Sequence, residues 1–313
     1  MVLACGARTV KGTVLKASLD RVYTSFDHPE SALDPIQIVR RYDDVADREL
    51  VAFVAAGLAF GRVASVMASV EAVCQVLGPR PSTFVRRFDP VRDGAPLLPI
   101  VHRWIRGQDL VGLIWILRQM LESHGSLENA FAVGLDDADA DVGPAIEHFA
   151  AEVRAVDLQP VYGPQVPAVP GVYYFFSKPS TGGACKRINL FLRWMVRRDG
   201  IDPGGWTRVR PGQLVVPLDT HTIRVGKCLQ FTRRVSPGWK MAADITAALR
   251  QADDVDPVRY DFALCHLSMM GSCGWQTSQG SSQCPLRDVC KPARPARKRA
   301  ASTSAVRIAR KRP

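Results

Sequence analysis

The run DRELVAFVAAGLAF (47–60) constrains this chain most. A nearly continuous apolar stretch of that length, opened by acids and closed before Gly61, is too long for an ordinary strand and reads as a buried helix. Asp47 is the predicted N-cap, because a carboxylate there can accept from the unpaired N–H groups of the first turn. Helical spacing recurs on both sides. PIQIVRRY (35–42) precedes it, a further helix runs on to Leu77, and LVGLIWILRQMLES (110–123) is another core helix. GPRPS at 78–82 breaks the chain, with Pro81 placed to start a short helix. GLDDADADVGP (134–144) lacks the glycine and terminal glutamate of a calcium loop and reads as a solvated acidic turn. The Pro- and Gly-rich stretch 159–183 is a long connection interrupted by YYFF (173–176), whose rings are candidates for a pocket or for core. Strand patterns are scarce and no internal repeat is seen. The expectation is an all-α protein of roughly a dozen helices.

Charge is unevenly placed. The net charge is +11, yet residues 291–313 hold nine Lys or Arg and no acid, leaving about +2 for the rest. KPARPARKRAASTSAVRIARKRP lacks an apolar face and is expected to be disordered. A cationic arm suits nucleic-acid phosphates, whose neutralisation releases counterions; a solubilising tail is the plainer alternative. No apolar run has bilayer length. The start, MVLACGARTVKG, has a lipobox-like VLAC without a basic or apolar leader, so a cytoplasmic protein with reduced thiols is expected.

CKRINLFLRWMVRRD (185–199) is the clearest amphipathic helix. Ile188, Phe191, Leu192, Met195 and Val196 share one face, while Lys186, Asn189, Arg193 and Arg197 form a strip on the other. That strip is either a basic binding stripe headed by Lys186 or an ordinary solvated face. The glycines of STGGA just before it would let backbone N–H groups approach a phosphate. Further on, LDTHTIRV (218–225) places Asp219 between a buried-looking run and a helix, as a cap or as a catalytic carboxylate.

These two segments resemble the helix-hairpin-helix (HhH-GPD) DNA glycosylase superfamily. LDTHTIRV is similar to the segment that carries the catalytic aspartate in endonuclease III-type enzymes. GGACKRINLFLRWMVRRDG and PIQIVRRYDDVADRELVAFVAAGLAFGRV are similar to a bacterial family of conserved hypothetical proteins, itself related to archaeal 8-oxoguanine DNA glycosylases. The likeness runs from about residue 12 to about 290. It implies a two-lobed helical fold, with 1–34 plus 200–290 as a discontinuous terminal lobe, 35–199 as a central lobe and 291–313 as the tail. It implies a monomeric DNA repair enzyme that excises a damaged base from double-stranded DNA, as an N-glycosylase with AP lyase activity. Lys186 would be the nucleophile and Asp219 the charge stabiliser. Thr181, Gly182 and Gly183 would grip a DNA phosphate, with Arg187, Arg193, Arg197, His221 and Arg224 as further DNA contacts. The sequence departs from the superfamily by lacking a Leu-Pro-Gly-Val-Gly hairpin before the lysine and by separating Lys186 from Asp219 by 33 residues.

Four of the eight cysteines, Cys265, Cys273, Cys284 and Cys290, lie in C-x7-C-x10-C-x5-C spacing. CPLRDVC (284–290) looks like the last two ligands of the iron–sulfur loop in adenine and endonuclease III-type glycosylases. The resemblance thus implies a [4Fe–4S] cluster, with zinc or plain thiols as alternatives and Cys265 or His266 as the fourth donor. The rival readings of the whole chain are a non-catalytic nucleic-acid-binding protein of the same fold and a metal-stabilised interaction protein. Both nucleic-acid readings make one demand: affinity for duplex DNA, read by fluorescence anisotropy, should fall steeply as salt rises. A flat dependence would remove them.

Overall fold

The structure is a computed structural model that describes residues 5–31, 34–270 and 284–290. The basic stretch 291–313 and Cys273 lie outside the described residues, so the readings of tail disorder and of Cys273 as a ligand are not addressed by it. The first helices are α1 (Cys5–Phe26), α2 (Ile36–Val39), α3 (Val45–Leu58), α4 (Val63–Leu77) and α5 (Pro81–Arg87). Then come α6 (Pro90–Asp93), α7 (Gly107–His124), α8 (Leu127–Ala132), α9 (Gly143–Ala155) and α10 (Gln159–Tyr162). The last four are α11 (Lys186–Val196), α12 (Thr220–Cys228), α13 (Trp239–Arg250) and α14 (Asp261–Met269). Short 3-10 turns join several of them, and among the described residues the extended pairing is limited to two isolated bridges. The protein is mostly helical.

Helix α3 is buried nearly all round, as its composition requires. Its cap is Asp44 rather than Asp47. The Asp44 carboxylate accepts from the N–H groups of Ala46 and Asp47, and Asp47 accepts from the Ser82 N–H at 2.7 Å, tying α3 to α5. Both residues offer a short carboxylate near the helix start, and the earlier one has the extended backbone that a cap needs. PIQIVRRY makes only one turn of α-helix, α2. Glu49 of α3 is buried, and its carboxylate accepts from the Leu127 and Glu128 N–H groups and from Trp206 Nε1. It thereby caps α8 and fixes an indole in one stroke. Of the YYFF run, Phe175 and Phe176 are core; Phe176 packs on Phe53 and Phe149. Buried apolar side chains from Leu19 to Leu286 form one contiguous cluster, in which α11 packs on α3, and α1 packs on α14.

Helix α11 departs from the expected solvated stripe. Its apolar face packs on α3, but Asn189, Arg193 and Arg197 are buried as well. Arg193 pairs with Asp261 at 2.8 Å and Asp202 at 3.2 Å. Arg197 pairs with Asp256 at 2.9 Å, with Asp199 at 2.6 Å and with Asp202. Burial alone would disfavour both guanidinium charges, but the aspartates more than compensate and hold them above their usual range. Arg193 and Arg197 are therefore buried ion-paired groups rather than members of a solvated stripe. The helical wheel identifies the polar face correctly but is silent on what covers it, and here acids from the 199–202 turn, Asp256 and α14 do so. Arg197→Ala should leave Asp202 and Asp199 short of their partner and lower stability by about 3–5 kcal/mol, read from urea unfolding. A loss under about 1 kcal/mol would mean that the network is wetted and contributes as a surface pair does.

Candidate active site

Lys186 is the first residue of α11. The chain reaches it through Gly182, at φ +80°, and Cys185, at φ +50°. A non-glycine residue in the left-handed region is strained and persists only where its surroundings hold it. This turn aims the Lys186 side chain across the end of α3, where Nζ donates to the Ala59 carbonyl at 3.4 Å. The same Nζ lies 4.0 Å from Asp219 Oδ2, although 33 residues separate the two in sequence.

Asp219 is the N-cap of α12, and its two oxygens have different tasks. Oδ1 accepts from the His221 and Thr222 N–H groups, both at 2.8 Å. Oδ2 faces Lys186 and accepts from the Cys265 thiol at 3.4 Å. Capping thus uses one oxygen and leaves the other at the cavity. Burial opposes the charge on Asp219, but the Lys186 ammonium and the donors around it prevail, and the carboxyl titrates below its usual range. The arrangement is a fixed anion beside an amine, held in place before any ligand arrives.

Both groups line a cavity of about 470 Å³, within the range of small-molecule sites, about 300–1,000 Å³. Its walls come from the α3–α4 junction, α11, the start of α12 and α14. Apolar walls are supplied by Phe60, Val63, Val66, Leu190 and Phe262. Asp261, Cys265 and Met269 recur every fourth residue along α14 and present one face to it. Burial pushes the Asp261 carboxyl up to about 6 although Arg193 pulls the other way, and the charge on Asp219 adds to the rise. The Thr222 hydroxyl donates to Asp261 at 3.2 Å, so α12 and α14 are bonded beneath the site.

The pattern of a family described as "Protein of unknown function (DUF2400)" matches residues 34–270. The chain belongs to that family. No curated protein and no solved structure matches it. The DUF2400 match takes in every residue that lines the cavity, so the site is built wholly within the family's shared region.

Of the residues singled out in the sequence, the cavity brings together Lys186, Asp219, His221, Arg193, Cys265 and His266. His221 Nδ1 lies 3.2 Å from Ser268 Oγ, which also accepts from Arg224 at 3.4 Å; Arg224 itself is not a lining residue. Arg187 turns away, with its guanidinium 3.3 Å from the Tyr174 ring centre and donating to the Tyr174 carbonyl. Thr181, Gly182 and Gly183 form an exposed turn against the start of α13, where the Gly182 carbonyl accepts from the Trp239 N–H. None of Tyr173, Tyr174, Phe175 and Phe176 lines the cavity.

Burial, with Asp219 and Asp261 beside it, pushes the Cys265 thiol well above its ordinary value, and it donates to Asp219 Oδ2. His266 stacks on Phe262 and its Nδ1–H donates to the Phe262 carbonyl. Among the described residues no three His, Cys, Asp or Glu side chains converge as metal ligands. The four-residue period of 261, 265 and 269 is visible in the sequence and marks these three side chains as sharing one helix face.

Replacing Lys186 by Met removes the largest influence that lowers the Asp219 carboxyl, which should then titrate at higher pH in a ¹³C NMR titration. A depressed carboxyl contributes stability above the unfolded Asp value of about 3.9 and loses it as pH falls through the folded value. The wild-type advantage over Lys186→Met should therefore be present at neutral pH and vanish in acid. An unchanged Asp219 titration would mean that the two groups do not interact.

Proposed function

We propose that this protein is a helix-hairpin-helix-type DNA glycosylase with lyase activity, excising a damaged base from double-stranded DNA. The observation that carries the reading is the approach of the Lys186 amine to Asp219 Oδ2 at the wall of a cavity large enough for a small ligand. The sequence likeness around 186 and 219 supplies the reaction class.

The target nucleotide would leave the stack, at a cost of a few kcal/mol, and enter the cavity. As the N-glycosidic bond breaks, its electron pair leaves with the base and positive charge develops on the sugar. Asp219 Oδ2, already ionised and fixed by α12, stabilises that charge. The unprotonated Lys186 amine attacks the anomeric carbon, forming a new C–N bond, and the proton it sheds goes to the departing base. Ring opening, with a proton taken up by the ring oxygen, gives an imine between Lys186 and the sugar. Loss of a C2′ proton to solvent then expels the 3′ phosphate by β-elimination, which is the lyase step, and water hydrolyses the remaining imine to release the lysine. Apolar walls exclude bulk water, which strengthens the interaction between Oδ2 and the sugar. His221 lies beside Asp219 as a polar wall. No metal enters this scheme.

Borohydride reduces an imine to a stable amine, so it should trap a covalent complex between the protein and a duplex bearing a damaged base or an abasic site. Lys186→Gln should abolish the trapped band, and Asp219→Asn should slow single-turnover cleavage by about 100-fold. If a panel of lesion-bearing duplexes binds but is neither cut nor trapped, the protein is a nucleic-acid-binding module of this fold and the enzymatic reading falls.

A further inference from the structure

Next to the cavity the protein displays an aromatic surface that the scheme above does not use. Phe60 lines the cavity, and it directly follows Ala59, whose carbonyl receives the Lys186 amine. The Trp104 indole stacks on the Phe60 ring, with centres 4.6 Å apart and planes 26° from parallel. Tyr174 meets both rings edge-on at 5.4 Å. Yet Trp104 is 52% exposed, the largest aromatic side chain among the exposed apolar residues described. Tryptophan is seldom covered completely but is highly buried on average, so an indole with half its surface open stands out.

The turn that carries it is built to hold it there. His102 and Ile105 exchange backbone hydrogen bonds of 3.1 and 2.9 Å, closing a tight loop around Arg103 and Trp104. Arg103 is left-handed, at φ +54°, one of three such non-glycine residues among those described. His102 is 2% exposed. Its Nε2–H donates to the Phe60 carbonyl at 2.9 Å, which leaves Nδ1 to accept from the Ser69 hydroxyl at 2.9 Å. One buried imidazole therefore fixes the indole's turn and the backbone of the ring under it.

The surroundings are cationic. FGRVASV (60–66) and LPIVHRWIR (98–106) contain Arg62, Arg103 and Arg106 and no acid, and all three arginines are exposed. The Arg103 guanidinium lies 5.5 Å from the Trp104 ring centre. At the same rim α4 begins with no side-chain cap on its first N–H groups, a place that favours phosphate. A rigid flat apolar face with a guanidinium beside it matches a base joined to a phosphodiester, since stacking takes the base and charge takes the backbone.

We infer that Trp104, stacked on Phe60, forms a second base-binding subsite at the rim of the cavity, which takes an unpaired nucleobase of the bound strand. This rests on the nucleic-acid part of the reading above but not on its chemistry. A base still paired and stacked offers no free face, so the subsite selects single-stranded or locally opened nucleic acid over intact duplex.

The test uses the full chain and a fluorescein-labelled single-stranded oligonucleotide, an intact duplex, and a duplex with one unpaired nucleotide. Trp104→Ala should weaken binding to the first and third by about 5- to 100-fold and leave the intact duplex nearly unchanged. Trp104→Phe should recover most of the loss, and the salt slope should not move. Arg103→Ala should instead lower that slope by about one. Because the indole is half exposed, Trp104→Ala should keep its urea midpoint; Trp104→Phe carries the test if it does not. Equal binding by wild type and Trp104→Ala overturns the subsite, as does an equal loss on intact duplex, or a change in oligomeric state on gel filtration, which would mark a protein interface. Lys186→Gln separates the two proposals: it should abolish trapping, while Trp104→Ala added to it should still weaken binding to the first and third probes. Trp104-dependent binding without trapping would leave the subsite standing and the glycosylase fallen; trapping without Trp104 dependence would do the reverse.

Discussion

Two arginines buried under α11 govern the rest of the structure. Arg193 and Arg197 carry positive charge into a region without water, which is tolerable only because Asp199, Asp202, Asp256 and Asp261 meet them there. That pairing lets α11 be enclosed on both faces, apolar against α3 and ionic against the 199–202 turn and α14. A helix held in this way has little freedom to roll or slide. Lys186, at its first turn, inherits that rigidity, and so does Asp261, which ties the network to the floor of the cavity.

The cavity is accordingly a meeting of helix ends on a fixed frame. The α3 terminus supplies a carbonyl to the Lys186 amine, the α12 N-terminus supplies Asp219, and α14 lays Asp261, Cys265 and Met269 along one side. Asp219 divides its carboxylate between α12's N–H groups and the cavity, so capping occupies Oδ1 and leaves Oδ2 facing the Lys186 amine. The protonated Cys265 thiol steadies Oδ2 from the other side. The Trp104 turn is fixed to this frame through His102 and Phe60, and Phe60 directly follows Ala59, whose carbonyl receives the Lys186 amine.

Much of this was legible in the residues. The apolar runs gave the long helices, Pro81 its helix start, and the Asp219 cap followed from a short carboxylate before a helical period. The Lys186 and Asp219 segments stood out as motifs. Other readings failed for identifiable reasons. Arg193 and Arg197 looked like a solvated stripe because a helical period reports sidedness and not the covering partner. Trp104 drew no notice, since a single aromatic in an irregular loop has no pattern to betray it; only its stacking on Phe60 gives it meaning.

By itself the sequence determined what depends on neighbours a few residues away: which stretches are helical, where several of them start, and that Asp219 would cap one of them. Those choices rest on side-chain spacing, backbone torsions and hydrogen bonds within a turn or two. The tertiary structure decided which face of α11 meets acids instead of water, and that an amine and a carboxylate 33 residues apart stand 4.0 Å from each other. Such convergence is set by how whole helices pack and by which charges must be paired once water is gone, and no local preference encodes it.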